Sequence, residues 1–162
     1  MRRDVMTIHL YAICWNEADM LGFFFRHYDT WVDQYFIYDD GSTDGSSEIL
    51  KTHPRVELHQ FQRVYPDHFV KSQEMFNSNV WKESRGRADW VIVTDIDEHL
   101  FVPDIPMKNY LKRCKAQGVT FLPALGYQML SEEFPEADEH LCFNRTWGAP
   151  YKMIRVNSIK LP

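Results

Sequence analysis

The stretch Trp90-Val91-Ile92-Val93-Thr94-Asp95-Ile96-Asp97-Glu98-His99 decides the fold of this chain. Its apolar first half has no polar alternation, and such a run is typical of a strand buried on both faces of a parallel sheet. Its second half places Asp95, Asp97 and Glu98 within four positions. Ligands of open α/β sheets bind at the carboxyl ends of the strands. The stretch therefore predicts a buried strand that ends in a binding site.

The acidic cluster has the chemistry of a site for a hard divalent cation. In an extended segment, Asp95 and Asp97 project to one side and Ile96 projects to the other. Carboxylates this close repel one another unless a cation lies between them. Mg²⁺ and Mn²⁺ prefer oxygen ligands and keep positions open for phosphates. We therefore predict Asp95 and Asp97 as ligands of Mn²⁺ or Mg²⁺, and the alternative is a solvated loop after a core strand.

The composition describes an ordinary globular protein of 162 residues, 44% hydrophobic and with a net charge of −5. That charge provides no basic surface for nucleic acid. The cysteines Cys14, Cys114 and Cys142 form no CxxC pair, which favours a reducing compartment. The apolar run after the N-terminus is too short to span a bilayer. We expect a cytoplasmic protein, in solution or peripheral to the inner face of a membrane.

Strands and helices alternate along most of the chain. The predicted strands span 5–14, 34–38, 55–61 and 90–93, and the helices between them span 17–31, a segment ending at residue 50, and 69–83. This alternation predicts right-handed crossovers and a mostly parallel sheet in one α/β domain over 1–162. A further helix is predicted over 105–117, with strands over 119–122 and 151–159.

A second acidic turn follows the strand over 34–38. It reads Asp39-Asp40-Gly41-Ser42-Thr43-Asp44, in which Gly41 permits a sharp turn. The carboxyl ends of parallel strands lie at one edge of a sheet. The turns at 39–44 and 95–98 are therefore expected to converge on one crevice. Between the first strand and its helix, Asn16 is predicted as the N-cap.

Three elements together resemble the nucleotide-sugar-binding region of a family-2 glycosyltransferase with the GT-A fold. They are the first strand ending in Cys14-Trp15-Asn16-Glu17, the turn at 39–44, and the strand entering Asp95-Ile96-Asp97. Their order and spacing match the family's "NE", "DDGSTD" and "DxD" elements, over about residues 8 to 101. The resemblance implies a GT-A-like three-layer sandwich.

The resemblance also implies a pocket for a UDP-sugar. Trp15, Asn16 and Glu17 would line the uridine pocket, and either Asp39 or Asp40 would accept a hydrogen bond from the uracil imide. Neighbouring residues on a strand face opposite ways, so the choice between the two aspartates stays open.

The same resemblance gives roles to residues around the cation. Asp97 would ligate it, and Asp95 would lie near the ribose or a metal-bound water. Gln73 and Asn77, one helical turn apart, would approach the sugar or the phosphates. The cation would stabilise the charge that develops on the leaving nucleotide.

The expected reaction is glycosyl transfer to an acceptor hydroxyl with inversion, which needs a carboxylate base. Glu132 and Glu133 are the clustered candidates after the DxD element. The acceptor stays open among saccharides, lipid-linked molecules and proteins. Family members are usually longer, so a fragment, or a short member lacking part of the acceptor side, is also consistent with the sequence.

Two alternatives remain open. One is a nucleotide-sugar-binding module without turnover. The other is a nucleotidyltransferase or phosphohydrolase that uses the same acidic edge. Nucleotidyltransferases usually carry a glycine-rich phosphate loop after the first strand, and that position here holds Trp15-Asn16-Glu17. A phosphohydrolase with an aspartate nucleophile would need Asp where Cys14 ends the first strand.

Overall fold

The computed structural model describes residues 6–130, 132–138, 140–144 and 148–150. The chain forms two compact units, unit 1 over Met1–Glu98 and unit 2 over His99–Pro162. The expectation that residues 1–162 make a single domain stays a prediction.

Unit 1 is built around a four-stranded sheet in which every pair of neighbours is parallel. Its strands are β1 (Ile8–Cys14), β2 (Gln34–Asp39), β3 (Val56–Gln60) and β4 (Trp90–Val93). Its α-helices are α1 (Ala18–Tyr28), α2 (Ser46–Thr52) and α3 (Phe69–Asn79). The α/β class with a parallel central sheet is thus confirmed, and each predicted strand and helix of this unit is present within a few residues.

Helices cover both faces of this sheet. On one face, Tyr11 of β1 stacks on Phe36 of β2 with ring centroids 4.7 Å apart, and Phe76 of α3 packs against this cluster. On the other face, the ring of Tyr35 in β2 lies beside the ring of Phe24 in α1, with the ring centroids 5.9 Å apart. Strand β1 lies between these layers with all seven residues buried, as the apolar composition of a central parallel strand requires.

The helix predicted over 69–83 is shorter than expected. Helix α3 ends at Asn79, and a 3₁₀ helix, Val80–Ser84, follows it. The tighter turn brings Ser84 into the core, where its hydroxyl lies 2.7 Å from both His9 Nδ1 and the Tyr11 hydroxyl. These buried polar atoms must be hydrogen-bonded, and this tertiary requirement overrides the local helical pattern.

Unit 2 contains helix α4 (Met107–Ala116), strand β5 (Tyr127–Met129), helix α5 (Leu141–Asn144) and strand β6 (Gly148–Pro150). Strands β5 and β6 pair antiparallel, and this ribbon was not expected. The strand predicted over 119–122 is wrong: the Val119 amide instead donates to the Cys114 carbonyl and completes the end of α4. The strand predicted over 151–159 lies outside the described residues.

No helix in the described ranges is both long enough and apolar enough to traverse a lipid bilayer.

Candidate functional site

The strand order locates the site at the carboxyl ends of β1 and β4. The order is β3-β2-β1-β4, so the chain builds outward from β1 to β3 and then returns to the other side of β1. Ligands of such sheets bind in the crevice where the strand order reverses. Because β2 and β4 both neighbour β1, their ends are separated by about 10 Å, two strand spacings. The acidic turns after β2 and β4 therefore lie at the same edge of the sheet, on either side of the end of β1.

The loop after β1 is tied to the loop after β2 through Asn16. The Asn16 amide donates to the Ser42 hydroxyl at 2.9 Å, and the Thr43 amide donates to Asn16 Oδ1 at 2.8 Å. Asn16 has a φ of 56°, in the left-handed region that Asn tolerates better than most residues. The predicted N-cap role of Asn16 is wrong, because its side chain forms this link between the loops.

The first turn of α1 is capped from the neighbouring loop. Asp44 Oδ2 accepts a hydrogen bond from the Ala18 amide at 2.9 Å, and the Ser46 hydroxyl accepts one from the Glu17 amide at 2.8 Å. Hydrogen bonds from Ser46 and Ala18 lower the pKa of Asp44. A cap from a distant segment leaves no signal in the sequence around α1, so the role of Ser46 was missed.

We expect the free energy of unfolding of the Asn16→Ala variant to be about 1–3 kcal/mol lower than that of the wild type. Alanine loses the hydrogen bond from Thr43 and carries a strain of about 1–2 kcal/mol in the left-handed region. Glycine adopts that region freely, so Asn16→Gly should lose only about 1 kcal/mol. Urea denaturation of the three proteins measures these differences. Equal losses in the two variants would contradict a strained backbone at this position.

Two side chains of the loop after β1 differ in their exposure. Trp15 is 58% exposed, so its indole offers a free aromatic face, on which a base or sugar ring can stack. Glu17 is half-buried. That Trp15, Asn16 and Glu17 line a uridine pocket stays a prediction.

The two aspartates that follow β2 have different partners. Asp39 is buried, and its carboxylate accepts hydrogen bonds from the Ser42 amide at 3.3 Å and the Ser47 hydroxyl at 3.2 Å. The Asp40 side chain is 7% exposed and pairs with Arg63, whose Nε donates to Oδ1 at 3.0 Å. This pairing with Asp40 raises the pKa of Arg63. Asp39 thus shapes the turn, and Asp40 holds the Arg63 guanidinium at this edge.

Arg63 was missed by the sequence analysis. It lies three residues beyond β3, in a loop that carries no recognisable motif. Its guanidinium also lies over the Phe69 ring, 5.4 Å from the ring centre. Only the folded chain shows that the positively charged Arg63 side chain lies beside Asp40.

The acidic stretch after β4 forms a tight turn. The Glu98 amide donates to the Asp95 carbonyl at 3.2 Å, which closes the turn. Ile96 is 1% exposed and belongs to the core, whereas Asp97 is exposed. The sequence analysis treated 95–97 as extended, with Asp95 and Asp97 on one side, whereas the structure has a turn here in which Asp95 is half-buried and Asp97 is exposed.

Asp95 is the half-buried member of the cluster and has a partner on α3. Gln73 Nε2 donates to Asp95 Oδ1 at 2.9 Å. Burial raises the pKa of Asp95 to about 6, the charges of Glu98 and Asp97 add to the rise, and the Gln73 hydrogen bond opposes it. Asn77 lies one helical turn beyond Gln73 and is exposed. The predicted contacts of Gln73 and Asn77 with a sugar or phosphate stay predictions.

The charges of the turn after β4 act on Glu17 in the loop after β1. Burial raises the pKa of Glu17, and the charges of Asp97, Asp44 and Asp95 raise it further. Carboxylates from three different loops of unit 1 therefore share one region of negative potential, where a cation would be stabilised.

These carboxylates do not form a complete metal cage. In the described part of the chain, no group of three or more His, Cys, Asp or Glu side chains is arranged to hold a metal ion. Mg²⁺ commonly binds through one or two carboxylates and takes its remaining ligands from water and substrate phosphates. The exposed Asp97 and the half-buried Asp95 fit that kind of site.

Comparison with known proteins gives the family. The family model described as "Glycosyltransferase family 92" matches residues 13–147, a range that includes both acidic turns. The chain belongs to glycosyltransferase family 92. The resemblance to a glycosyltransferase is thus confirmed, although the family is 92 rather than 2. Membership in family 92 also counts against the nucleotidyltransferase and phosphohydrolase alternatives.

Plant members of family 92 are among the relatives. A glycosyltransferase family 92 protein of Arabidopsis thaliana is 30% identical over 114 residues, covering 64% of this chain and 19% of its own length. A rice (Oryza sativa subsp. japonica) member is 30% identical over 103 residues, covering 63% of this chain and 17% of its own length. The chain thus matches less than one fifth of the length of these family 92 proteins.

The candidate base residues of this family 92 chain lie in unit 2. Glu132 and Glu133 are both exposed. They follow β5 in a segment without regular secondary structure. The assignment of either residue as the catalytic base stays a prediction.

Proposed function

We propose that this family 92 chain binds a nucleotide-diphosphate sugar, UDP-linked, together with Mn²⁺ or Mg²⁺, and transfers the sugar to an acceptor hydroxyl with inversion. One observation carries the proposal: carboxylates from the loops after β1, β2 and β4 converge at the switch point of a parallel sheet. There burial raises the pKa of Glu17, and the charges of Asp97, Asp44 and Asp95 raise it further. A diphosphate can enter such a negative region only with a cation, so metal and donor would bind together.

The residues present suit the two ends of this donor. At one end, the exposed Trp15 indole offers a stacking face and Arg63 offers a guanidinium. At the other end, Asp97 and Asp95 would hold the cation, which would neutralise the charge that develops on the leaving diphosphate. Gln73 lies on α3 beside Asp95, and Asn77, one turn further along α3, would approach the sugar or the phosphates.

In the proposed reaction, the acceptor oxygen forms a bond to the anomeric carbon as the bond from that carbon to the diphosphate oxygen breaks. The nucleoside diphosphate leaves with the electron pair. The acceptor proton passes to a carboxylate, for which Glu132 and Glu133 are the candidates. Attack from the side opposite the leaving group gives inversion. The acceptor is proposed only as a molecule bearing a hydroxyl, whether saccharide, lipid-linked or protein.

Isothermal titration of the 162-residue chain with UDP, with and without Mn²⁺, tests donor binding. We expect binding that depends on Mn²⁺, because the carboxylates repel the bare diphosphate. A parallel assay for UDP release from a panel of UDP-sugars tests turnover. Metal-dependent binding without turnover would indicate a binding module in place of a complete transferase. Absence of UDP binding at millimolar concentrations with Mn²⁺ would contradict the proposed donor site.

A further inference from the structure

We infer that Gln73 and Tyr28 are positioning residues that hold the acidic turn 94–98 in the geometry that binds the cation. The inference rests on the proposed function, because it assigns them to the same cation site. Neither side chain needs to touch the metal. Each would act through the turn, Gln73 by orienting the Asp95 carboxylate and Tyr28 by anchoring the backbone at Glu98.

Gln73 reaches the turn from α3. Its amide nitrogen donates to Asp95 Oδ1 at 2.9 Å. Gln73 therefore binds one oxygen of the carboxylate and leaves Oδ2 to other partners. The hydrogen bond restricts the orientation of the carboxylate. Partners of metal-binding carboxylates orient them in this way, and losing one typically costs 10–100-fold in metal affinity. The structure thus gives Gln73 a role that does not require contact with the sugar.

Tyr28 reaches the turn from the last residue of α1. Its ring is fully buried, with ring centroids 4.8 Å from Phe24 and 5.2 Å from Trp31. Its hydroxyl donates to the Glu98 carbonyl at 2.9 Å. Packing against these rings restricts where this donor can lie. The turn is therefore joined to the core at its carboxyl end.

The turn also closes on itself. Glu98 Oε2 accepts from the Thr94 hydroxyl at 3.1 Å and from the Asp95 amide at 3.4 Å. These contacts, with those of Gln73 and Tyr28, hold like charges together before any cation arrives. Without them, repulsion between Asp95, Asp97 and Glu98 would spread the turn. Preorganisation removes the cost of ordering the site on binding, which raises affinity.

The first test uses Gln73→Leu, which keeps the size and apolar stem of Gln73 but cannot donate to Asp95. Gln117→Leu makes the same exchange at an exposed position in unit 2. Titration of Mn²⁺ in the presence of UDP, followed by the electron paramagnetic resonance signal of free Mn²⁺, gives the affinity. We expect about tenfold weaker Mn²⁺ binding for Gln73→Leu and wild-type binding for Gln117→Leu. Without metal, only Gln73→Leu should melt at a lower temperature, because Asp95 loses a hydrogen bond.

The second test uses Tyr28→Phe, which removes one hydroxyl. Tyr35→Phe is a matched control, because the Tyr35 ring is also fully buried and its hydroxyl donates to Asp29 at 2.8 Å, not to the acidic turn. Both variants should lose stability. Only Tyr28→Phe should also bind Mn²⁺ about threefold to tenfold more weakly, the effect of one hydrogen bond.

The outcomes separate the two proposals. Wild-type protein that binds no Mn²⁺ with UDP would overturn the proposed function and this inference with it. Wild-type protein that binds Mn²⁺, with unchanged affinity in Gln73→Leu and Tyr28→Phe, would overturn the inference alone. Equal weakening in Tyr35→Phe would show that Tyr28 acts through general stability, and would overturn its role as a positioning residue.

Discussion

Replacing Asp97 by alanine is expected to abolish the thermal stabilisation of the protein by UDP and Mn²⁺. Asp97 is exposed at the tip of the turn after β4, so its loss leaves the core intact. Its carboxylate is the most accessible proposed ligand of the cation. Partners outside the ligand shell are already worth 10–100-fold in metal affinity, so we expect the loss of this ligand to weaken Mn²⁺ binding by more than about 100-fold.

The measurement is the melting temperature without ligand and with UDP and Mn²⁺, each at about 1 mM. Ligand stabilises the folded state according to its concentration relative to Kd, so a 100-fold loss of affinity removes most of the shift. The control is Asp138→Ala, which removes an exposed aspartate of unit 2 and should keep the wild-type shift. Equal shifts in wild type and Asp97→Ala would remove Asp97 from the cation site.

Replacing Asp95 by asparagine is expected to have two opposite effects: a higher melting temperature and the loss of metal-dependent UDP binding. The rise of the Asp95 pKa from 3.8 to about 6 shows that its charge destabilises the folded protein. That rise corresponds to about 3 kcal/mol, and solvent screening of this half-buried group reduces it to about 1–2 kcal/mol. Asparagine can still accept the hydrogen bond from Gln73, so we expect a gain of about 2–6 °C at pH 7.5.

The gain in stability should depend on pH in a defined direction. As the pH falls below 3.8, Asp95 becomes protonated in both the folded and the unfolded chain, so the difference in stability between wild type and Asp95→Asn should vanish. Between pH 3.8 and about 6, the unfolded chain releases the proton while the folded chain retains it, so wild type loses stability as pH rises. Above about pH 6 the advantage of the variant is complete and constant.

Melting curves of both proteins from pH 3.5 to 8 without metal measure this dependence. Asp67→Asn, at an exposed loop position, controls for the exchange itself and should stay within about 1 °C of wild type, as surface substitutions do. A variant that is less stable than wild type at pH 7.5 would contradict the electrostatic strain at Asp95. A variant that gains stability and still binds UDP with Mn²⁺ would exclude Asp95 from the cation site.

The parallel sheet of unit 1 could be predicted because its signals are local. The run Trp90 to Val93 has no polar residue, and only a strand covered on both faces buries such a run. The turn at 39–44 follows a strand and carries its own glycine. Convergence of the two acidic turns then followed from the geometry of parallel strands.

The partners inside the site could not be predicted because they join residues that are far apart along the chain. The local sequence predicts Asn16 as a helix cap, yet its side chain accepts a hydrogen bond from the Thr43 amide. Gln73 and Asp95 are 22 residues apart, and Asp40 and Arg63 are 23 apart. Which donor meets which acceptor depends on how the loops pack, and short-range patterns carry no information about that.

Local patterns alone identify this chain as an α/β protein with carboxylates at the ends of its strands, because hydrophobic periodicity and turn residues act over a few neighbouring positions. How those carboxylates are used depends on the folded chain. It buries Asp39 in its own turn, pairs Asp40 with Arg63, leaves Asp97 exposed, and raises the pKa of Asp95 by burial. Burial and charge pairing depend on segments brought together in space, so they exist only once the chain has folded.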